Sequence, residues 1–415
     1  MKVLILTNSL GLGGTEKAAC RWARGLQARG HAVAVVSLAD GPRHQELARA
    51  AIPVRITSAA AGELAARLRE LDPEVIHAHA PGYPHPGDLL GAALKLLPRK
   101  IPVVQTNIFG RLQNPAEDVW TDFRLFISWT SGVQAARRAY RPLNQAFFER
   151  ASVAVYPLDP VEPAPAAAVA AFRQTHGVTG NEVLFGRLSR PEPNKWSELA
   201  LQAFRLARRR QGNIKLLLRE PPPAVAAALR AGPDADAFII LPATLDEAEL
   251  RLTLSALDAV LHTSSIGESF GYGIAEPMNL GKPVITHSVP WQDQAQIELV
   301  RHGEGGFVTS TPEAMGAAMV ALARDSSGRE KMGRQAQAHI RVLANPETSL
   351  HRLELILAAA RENRPNPQAA VDFARARATA DYLDAHQFGH TWREQLMLRP
   401  LHYRVRFHEW RHRHT

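Results

Sequence analysis

The chain of 415 residues is 46% hydrophobic and 21% charged, a composition typical of a soluble globular protein. At roughly 150 residues per domain, its length predicts two or three domains. The net charge of +9 is compatible with nucleic acid, an anionic membrane surface or a phosphorylated substrate as partner. The single cysteine, Cys20, excludes an intrachain disulfide.

The amino-terminal residues and the hydropathy predict where the protein works. The first residues are mostly apolar, but the chain turns polar at Thr7, too early for the apolar region of a signal peptide. No run approaches the roughly 18 apolar residues of a membrane span. Since a single cysteine also fits a reducing compartment, we expect a cytoplasmic protein.

Apolar runs and helical patterns alternate through the first part of the chain. Residues 2–8 form a continuous apolar run, as in a buried parallel strand, and a glycine-rich loop and a helix to about Ala28 follow. Further strands are predicted at 31–38, 54–56, 75–79, 102–106 and 125–128, with helices at 60–71 and 87–96. This alternation predicts a doubly wound parallel sheet.

A second series of the same kind begins at Asn181, after an Ala- and Pro-rich interval that we interpret as a hinge. Its strands are predicted at 182–188, 214–219, 237–242, 258–263, 283–287 and 306–309. Thr311 followed by Pro312 predicts a helix start, and helices then run to about 322 and over 329–342 and 346–361. The predicted fold class is α/β, with two Rossmann-like domains facing a cleft. The expected domains are residues 1–160 and 177–363, with a helical, basic extension at 364–415.

Residues 261–285 carry the strongest indication of chemistry. They predict a strand, a loop, a helix over about 273–280 and a second strand, with Glu268 and Glu276 on either side of a glycine-rich turn. A helix N-terminus suits an anion, and Glu276 is placed to accept hydrogen bonds from a vicinal diol such as a ribose. The pattern indicates a nucleotide ligand. The alternative is an ordinary strand–loop–helix with solvated or capping glutamates.

The loop from Gly11 to Glu16 begins like a dinucleotide-binding fingerprint. However, Glu16 stands where the third glycine should be, and Asp40 is only a loose candidate for a ribose contact, which argues against NAD. Thr15 and Glu16 also make a good helix start.

Basic side chains follow the first strand of the second series. Arg187 and Lys195 are expected to project from strand and loop ends, where fixed cations can stabilise a departing diphosphate without a metal. Surface cations in a loop are the alternative. Asp234 and Asp236 precede a strand rather than follow one, so we interpret them as part of a turn and expect no metal cofactor.

His77 and His79 end a predicted strand, on one face of it. Two histidines without a third ligand nearby are thin support for zinc. We therefore interpret them as contacts to substrate hydroxyls, with packing as the alternative.

Two basic regions remain. The first is a cluster of arginines, which we interpret as the end of a helix; we therefore expect no nucleic-acid partner. The cluster consists of Arg205, Arg208, Arg209 and Arg210. In the tail at 401–415, Tyr403, Phe407 and Trp410 have helical spacing among arginines. Such a segment either lies on an anionic membrane or packs against the body of the protein.

The segment from Glu268 to Glu276 resembles the Glu-x7-Glu signature of retaining GT-B glycosyltransferases of the family 4 (group 1) type. The resemblance extends over residues 1 to about 360, and it implies that Glu276 holds the donor ribose while Glu268 lies beside the donor sugar. It also implies roles for a larger set of residues. Donor binding would involve Gly13, Gly14, Phe270, Gly271 and Tyr272. The leaving diphosphate would be stabilised by Arg187 and Lys195. The acceptor or the sugar would be contacted by Glu16, His77, His79 and Asn107.

One position departs from the family pattern. Many relatives carry a histidine shortly after a threonine at the end of the fifth strand, whereas residues 104–110 contain none. Asn107 can hydrogen-bond a sugar hydroxyl but cannot act as a base.

The resemblance implies transfer of a sugar from a nucleoside-diphosphate-sugar donor, with retention and without a metal or other cofactor. The acceptor would be a saccharide, a lipid-linked glycan or another hydroxyl, in bacterial surface glycan synthesis. Two alternatives stay open. One is a nucleotide-sugar epimerase on the same fold, and the other is a non-catalytic subunit that binds nucleotide sugars.

Overall fold

The computed structural model of the protein describes residues 1–82, 88–140, 142–188, 191–192, 195–244, 246–289 and 292–386. These residues divide into two compact units. The first contains Met1–Asp159 and Ala344–Asp381, and the second contains Pro160–Leu343 and the described residues from Tyr382 to His386.

The elements alternate along the chain, as a doubly wound fold requires. The strands are β1 (Lys2–Thr7), β2 (Ala32–Ser37), β3 (Val54–Ile56), β4 (Val75–Ala80), β5 (Val103–Asn107), β6 (Phe123–Phe126), β7 (Ala151–Val153), β8 (Val183–Leu188), β9 (Ile214–Arg219), β10 (Phe238–Leu241), β11 (Ala259–His262), β12 (Gly267–Glu268), β13 (Val284–His287), β14 (Asp293–Gln294) and β15 (Gly306–Thr309). The α-helices are α1 (Gly14–Ala28), α2 (Arg43–Arg49), α3 (Ala61–Leu71), α4 (Leu89–Leu94), α5 (Pro115–Trp120), α6 (Trp129–Ala139), α7 (Ala166–Thr175), α8 (Leu199–Arg210), α9 (Pro223–Ala231), α10 (Glu247–Ala256), α11 (Tyr272–Asn279), α12 (Ala295–Val300), α13 (Pro312–Arg324), α14 (Ser326–Leu343), α15 (Pro346–Arg361) and α16 (Ala369–His386).

A seven-stranded parallel sheet forms the centre of the first unit. Its strand order is β3-β2-β1-β4-β5-β6-β7. Strands β1 and β2 are mostly apolar runs because both faces of the sheet are covered. One face packs against α3 and α4 through a core that includes Leu64, Ile76 and Leu90. The strand order reverses between β1 and β4, which creates a topological switch point.

The last part of the chain returns to this sheet. Helix α15 packs against β4, β5, β6 and β7. Near the start of α16, the fully buried Asp372 accepts hydrogen bonds from Ser152 Oγ (2.6 Å), Asn366 Nδ2 (2.9 Å) and Arg352 Nη1 (2.5 Å). The carboxylate therefore joins α16 to β7 and α15 inside the first unit.

The second unit is built on a six-stranded parallel sheet. Its order is β10-β9-β8-β11-β13-β15, so the switch point lies between β8 and β11. Its core includes Phe185, Phe204, Leu216 and Met319, which come from strands and from the helices α8 and α13. A separate two-stranded sheet pairs Gly267 of β12 with Asp293 of β14.

The predicted α/β fold class with two Rossmann-like parallel sheets is confirmed. Each predicted strand occurs within two residues of its expected limits, whereas β7 and the small sheet of β12 and β14 were not predicted. The predicted boundary after residue 363 differs from the observed division of contacts, which falls after Leu343 because α15 packs on the first sheet.

The arginine cluster ends α8, as expected. Arg205 and Arg208 pair with Asp234 and Asp236, each at 3.0 Å, and these two carboxylates lie in the turn before β10. The tail at 401–415 lies outside the described residues. Among the residues that the structure describes, no helix is long and apolar enough to cross a membrane.

Candidate active site

Polar side chains gather at the carboxyl ends of β8 and β11, at the switch point of the second sheet. Arg187 is the fifth residue of β8, and His262 ends β11. Because β8 and β11 are neighbouring parallel strands, their carboxyl ends meet at the same edge. In open α/β sheets, ligands bind at this place.

Arg187 is a buried cation with hydrogen-bonding capacity to spare. Its Nε donates to Thr263 Oγ1 (3.2 Å), and its Nη2 donates to the carbonyl oxygens of Thr263 (3.1 Å) and Lys195 (3.0 Å). The guanidinium lies 3.9 Å from the ring centroid of Trp196. Burial lowers the pKa of Arg187 to about 10, so the side chain is charged at neutral pH. Among the described residues, its buried Nη1 has no hydrogen-bond partner.

Glu268 accepts two hydrogen bonds at one oxygen. Lys195 Nζ lies 2.8 Å from its Oε1, and His262 Nε2 lies 3.1 Å from the same atom. The backbone N–H of Glu268 donates to Gln296 Oε1 (3.0 Å), which fixes the loop that carries the carboxylate. Burial alone would raise the pKa of Glu268, but the hydrogen bonds and charges of His262 and Lys195 outweigh it and lower this pKa to about 2.

A second histidine, His287, interacts with His262. His287 ends β13, and burial, assisted by the charge of His262, lowers its pKa to about 4. His287 is therefore neutral at physiological pH. The group as a whole contains two fixed cations, Arg187 and Lys195, and one ionised carboxylate.

Helix α11 begins beside the carboxyl end of β11. Its N-cap residue, Gly271, supplies no side-chain cap, so the first N–H groups of the helix lack that partner. A Cβ on Gly273 would lie 3.7 Å from Cδ2 of His262, which places the first turn beside the strand end. Phe270 is buried with its ring 5.0 Å from that of Tyr272. Glu276 follows one turn into the helix, as predicted.

In the first unit, the Gly13–Glu16 segment begins α1 at the switch point of that sheet. Gly13 is the N-cap residue, Gly14 is the first helical residue, and the carboxylate of Glu16 folds back over them. A Cβ on Gly13 would lie 2.3 Å from Glu16 Oε2, so glycine is required for this contact. Ser9 Oγ donates to Glu16 Oε1 (2.8 Å) and fixes the carboxylate.

His77 and His79 lie on one face of β4, as predicted, inside an aromatic cluster. Their ring centroids are 4.7 Å apart, and the ring of Trp22 lies 5.3 and 5.8 Å from them and 5.4 Å from the ring of Tyr156. Burial lowers the pKa of His77 well below its ordinary value and that of His79 to about 3. Packing is thus an established role of both histidines, and their contact with a substrate stays a prediction.

Asn107 holds the loop that follows β5. Its Nδ2 donates to the carbonyl oxygen of Arg111 (2.6 Å), and its Oδ1 accepts from the N–H of Arg111 (3.0 Å). The predicted contact of Asn107 with a sugar stays a prediction. Among the described ranges, no three His, Cys, Asp or Glu side chains are grouped as a metal ion requires.

The two halves of the chain match two family models. Residues 13–164 match the glycosyl transferase 4-like domain, and residues 181–325 match the glycosyl transferases group 1. Together these matches span most of the chain, in the order that the two sheets follow. The chain is a group 1 glycosyltransferase with the GT-B fold.

Solved structures share the fold of this glycosyltransferase. HepE of Anabaena, solved with UDP and glucose, is 22% identical with a TM-score of 0.66, over 86% of this chain and 100% of that one. A glycosyltransferase from Rickettsia africae is 14% identical with a TM-score of 0.71, over 87% and 99%. WaaG, a glycosyltransferase involved in lipopolysaccharide biosynthesis, is 14% identical with a TM-score of 0.59, over 84% and 98%. No curated protein sequence matches significantly.

Several residues of the glycosyltransferase site were not predicted from the sequence. They are Trp196, His262, Thr263, His287 and Gln296. For His262 and His287, the signal was present, because each is a polar residue at the end of a predicted strand. For Gln296, no local pattern marks the residue, since its partner Glu268 belongs to another segment. For Trp196, the partner Arg187 lies in the same segment, but no local pattern indicates that the ring packs on the guanidinium.

Proposed function

We propose that this glycosyltransferase transfers a sugar from a nucleoside-diphosphate-sugar donor to a hydroxyl acceptor, with retention at the anomeric carbon and without a metal ion. The observation that carries the proposal is the group formed by Arg187, Lys195 and Glu268 beside the N-terminus of α11. We further propose a saccharide or lipid-linked acceptor and a role in bacterial surface glycan synthesis.

The diphosphate of the donor binds to Arg187, Lys195 and the start of α11. A departing nucleoside diphosphate gathers negative charge in the transition state, and fixed cations stabilise it most where water is excluded. Arg187 offers its buried Nη1, and Lys195, whose Nζ also donates to the carbonyl oxygen of Gly267 (3.4 Å), offers the third N–H of its ammonium. The start of α11 adds the positive end of a helix dipole.

The sugar and the ribose are assigned to the two glutamates. Both hydrogen bonds to the carboxylate of Glu268 go to Oε1, so Oε2 is the atom that accepts from a sugar hydroxyl. Glu276, one turn into α11, is assigned to the ribose diol. For the first unit, the roles of Gly13, Gly14, Glu16, His77, His79 and Asn107 stay predictions from the family resemblance.

Glu268 is suited to orient the sugar rather than to attack it. A carboxylate that two N–H donors already hold at Oε1 is a weak nucleophile, because these hydrogen bonds favour its resting charge. We therefore propose attack by the acceptor hydroxyl on the face that the diphosphate leaves, with the hydroxyl proton passing to the leaving phosphate.

UDP-glucose is the first donor to test, because HepE, which shares the fold, was solved with UDP-glucose. Incubation with UDP-α-glucose in EDTA, with water as acceptor, should release α-glucose before β-glucose in a proton NMR time course. Lys195→Ala should lower the initial rate about 100-fold through the loss of transition-state charge stabilisation. Lys331→Ala, on the exposed surface of α14, is the control.

Other results would favour the open alternatives. Conversion of UDP-glucose into another UDP-hexose without any free sugar would indicate an epimerase. Tight binding with no turnover, even when saccharide acceptors are added, would indicate a binding subunit. First release of β-glucose would contradict retention, and loss of the reaction in EDTA would contradict metal independence. Contact of residues 401–415 with an anionic membrane also stays a prediction.

A further inference from the structure

His262 contacts the carboxylate that the proposed function assigns to the donor sugar. Its Nε2 lies 3.1 Å from Glu268 Oε1, the atom that Lys195 also contacts. His262 is the last residue of β11, in the interior of the second sheet, with β8 on one side and β13 on the other. Its ring is buried and packs beside the first turn of α11, near Gly273.

The two partners of Glu268 differ in rigidity. Lys195 reaches the carboxylate from a loop, through a flexible four-carbon chain that is about one-fifth exposed. His262 reaches it from a central strand, through a ring with two rotatable bonds. A site built on a strand is held more accurately than one on a loop, so His262 sets where the carboxylate lies.

The contact between His262 and Glu268 also shows which ring nitrogen of His262 carries a proton. Glu268 is ionised and accepts hydrogen bonds only, so the proton of the contact belongs to Nε2 of His262. The buried Nδ1 has no hydrogen-bond partner among the described residues. The titratable groups that interact with the ring are Glu268 and His287, and Lys195 contacts the same oxygen of Glu268.

We propose that His262 is a positioning residue that holds the Glu268 carboxylate in place to bind the donor sugar. This inference rests on the proposed function. It assigns His262 to recognition of the sugar and not of the nucleotide. Lys195, in contrast, serves both the diphosphate and Glu268, so its loss weakens the binding of both parts of the donor.

Two variants separate positioning from packing. In His262→Gln the side-chain amide nitrogen can take the place of Nε2, whereas in His262→Asn the shorter side chain cannot reach Glu268. Calorimetric titration of UDP and of UDP-glucose then gives two affinities for each protein. We expect His262→Asn to weaken UDP-glucose binding about tenfold with UDP binding unchanged, and His262→Gln to restore most of the loss.

A double-mutant cycle tests whether the effect passes through Glu268. In the Glu268→Ala background, which has no acceptor for the Nε2–H of His262, His262→Asn should no longer change the affinity for UDP-glucose. Undiminished loss in that background would overturn the inference. So would an equal weakening of UDP and UDP-glucose by both His262 variants, because that result indicates a packing role. Unchanged binding in His262→Asn would overturn it as well.

The failure of the proposed function gives a different result. If wild-type protein binds none of UDP, GDP, ADP and dTDP, or if Lys195→Ala binds the nucleotide and its sugar as well as wild type, the donor site itself is wrong, and the role of His262 falls with it. Wild-type binding that depends on Lys195 but not on His262 overturns only the present inference.

Discussion

His79 illustrates how a single residue makes the stability of the first unit depend on pH. The imidazole is buried beside His77 and Trp22, and burial lowers its pKa from 6.5 to about 3. In the unfolded chain a histidine takes up a proton near pH 6.5. The folded state binds fewer protons below that pH, so acid favours unfolding.

We therefore expect the contribution of neutral His79 to be complete above about pH 6.5 and to be lost progressively as the pH falls toward 3. The slope from one histidine is at most about 1.4 kcal/mol per pH unit. His79→Phe should flatten the pH dependence of the free energy of unfolding over this range, measured by urea titration. An unchanged slope would show that His79 does not remain neutral in the folded protein.

At the same scale, the sequence predicted part of the residues at the site but not which of them contact each other. Arg187, Lys195, Glu268 and Glu276 were expected from their places after strands and in the family motif. The shared contact of Lys195 and His262 with Glu268 depends on three segments meeting at one sheet edge. Local pattern does not contain that information.

The short strand β12 carries Glu268 and depends on a glycine. Gly267 has φ +65°, and a Cβ there would lie 1.8 Å from the carbonyl oxygen of Asp293 in β14. Gly267→Ala should therefore displace the small sheet and destabilise the second unit by about 3 kcal/mol or more. The measurement is the midpoint of chemical unfolding.

Gly303→Ala is the matched control, because Gly303 has φ +83° with nothing within 4 Å of the added Cβ. This variant retains only the backbone strain of about 1–2 kcal/mol. Equal losses in the two variants would contradict a role for the close contact with Asp293.

The elements that the sequence predicted are those with a clear period. Long apolar runs predicted the strands of both sheets because helices cover both faces of each sheet. Strands β12 and β14 have two residues each, too few to show any period. These strands form because their neighbours position them, as β14 does for β12.

For the whole molecule, the return of the chain to the first unit is anchored by Asp372. The carboxylate is fully buried, and it pairs with Arg352 of α15 and Ser152 of β7. Asp372→Ala leaves Arg352 without its carboxylate partner, which should lower the free energy of unfolding by about 3–5 kcal/mol. Hydrogen exchange should increase in the first sheet and stay unchanged in the second. The control is Asp381→Ala, since Asp381 is exposed on the same helix; it should change neither the stability nor the hydrogen exchange. Increased exchange of both sheets in Asp372→Ala would contradict this assignment.

The sequence predicted the helix at 346–361 but not the sheet that it covers. A helical period shows that one face of α15 is apolar, and either parallel sheet can bury such a face. The contacts of α15 with β4 to β7, and the buried pair of Asp372 and Arg352, assign it to the first unit.

The central claim is that the second unit binds a nucleoside diphosphate where β8 and β11 end and α11 begins. The most direct test is calorimetric titration of UDP, in EDTA, into wild type, Glu276→Ala and Glu313→Ala. Glu313 is the matched control, since it is exposed in the first turn of another helix of the same unit. We predict saturable binding by wild type and Glu313→Ala, and a loss of about 1–3 kcal/mol in Glu276→Ala from a missing charged hydrogen bond. Equal binding by all three proteins would contradict the assignment of Glu276, and no binding by wild type would contradict a uridine nucleotide site.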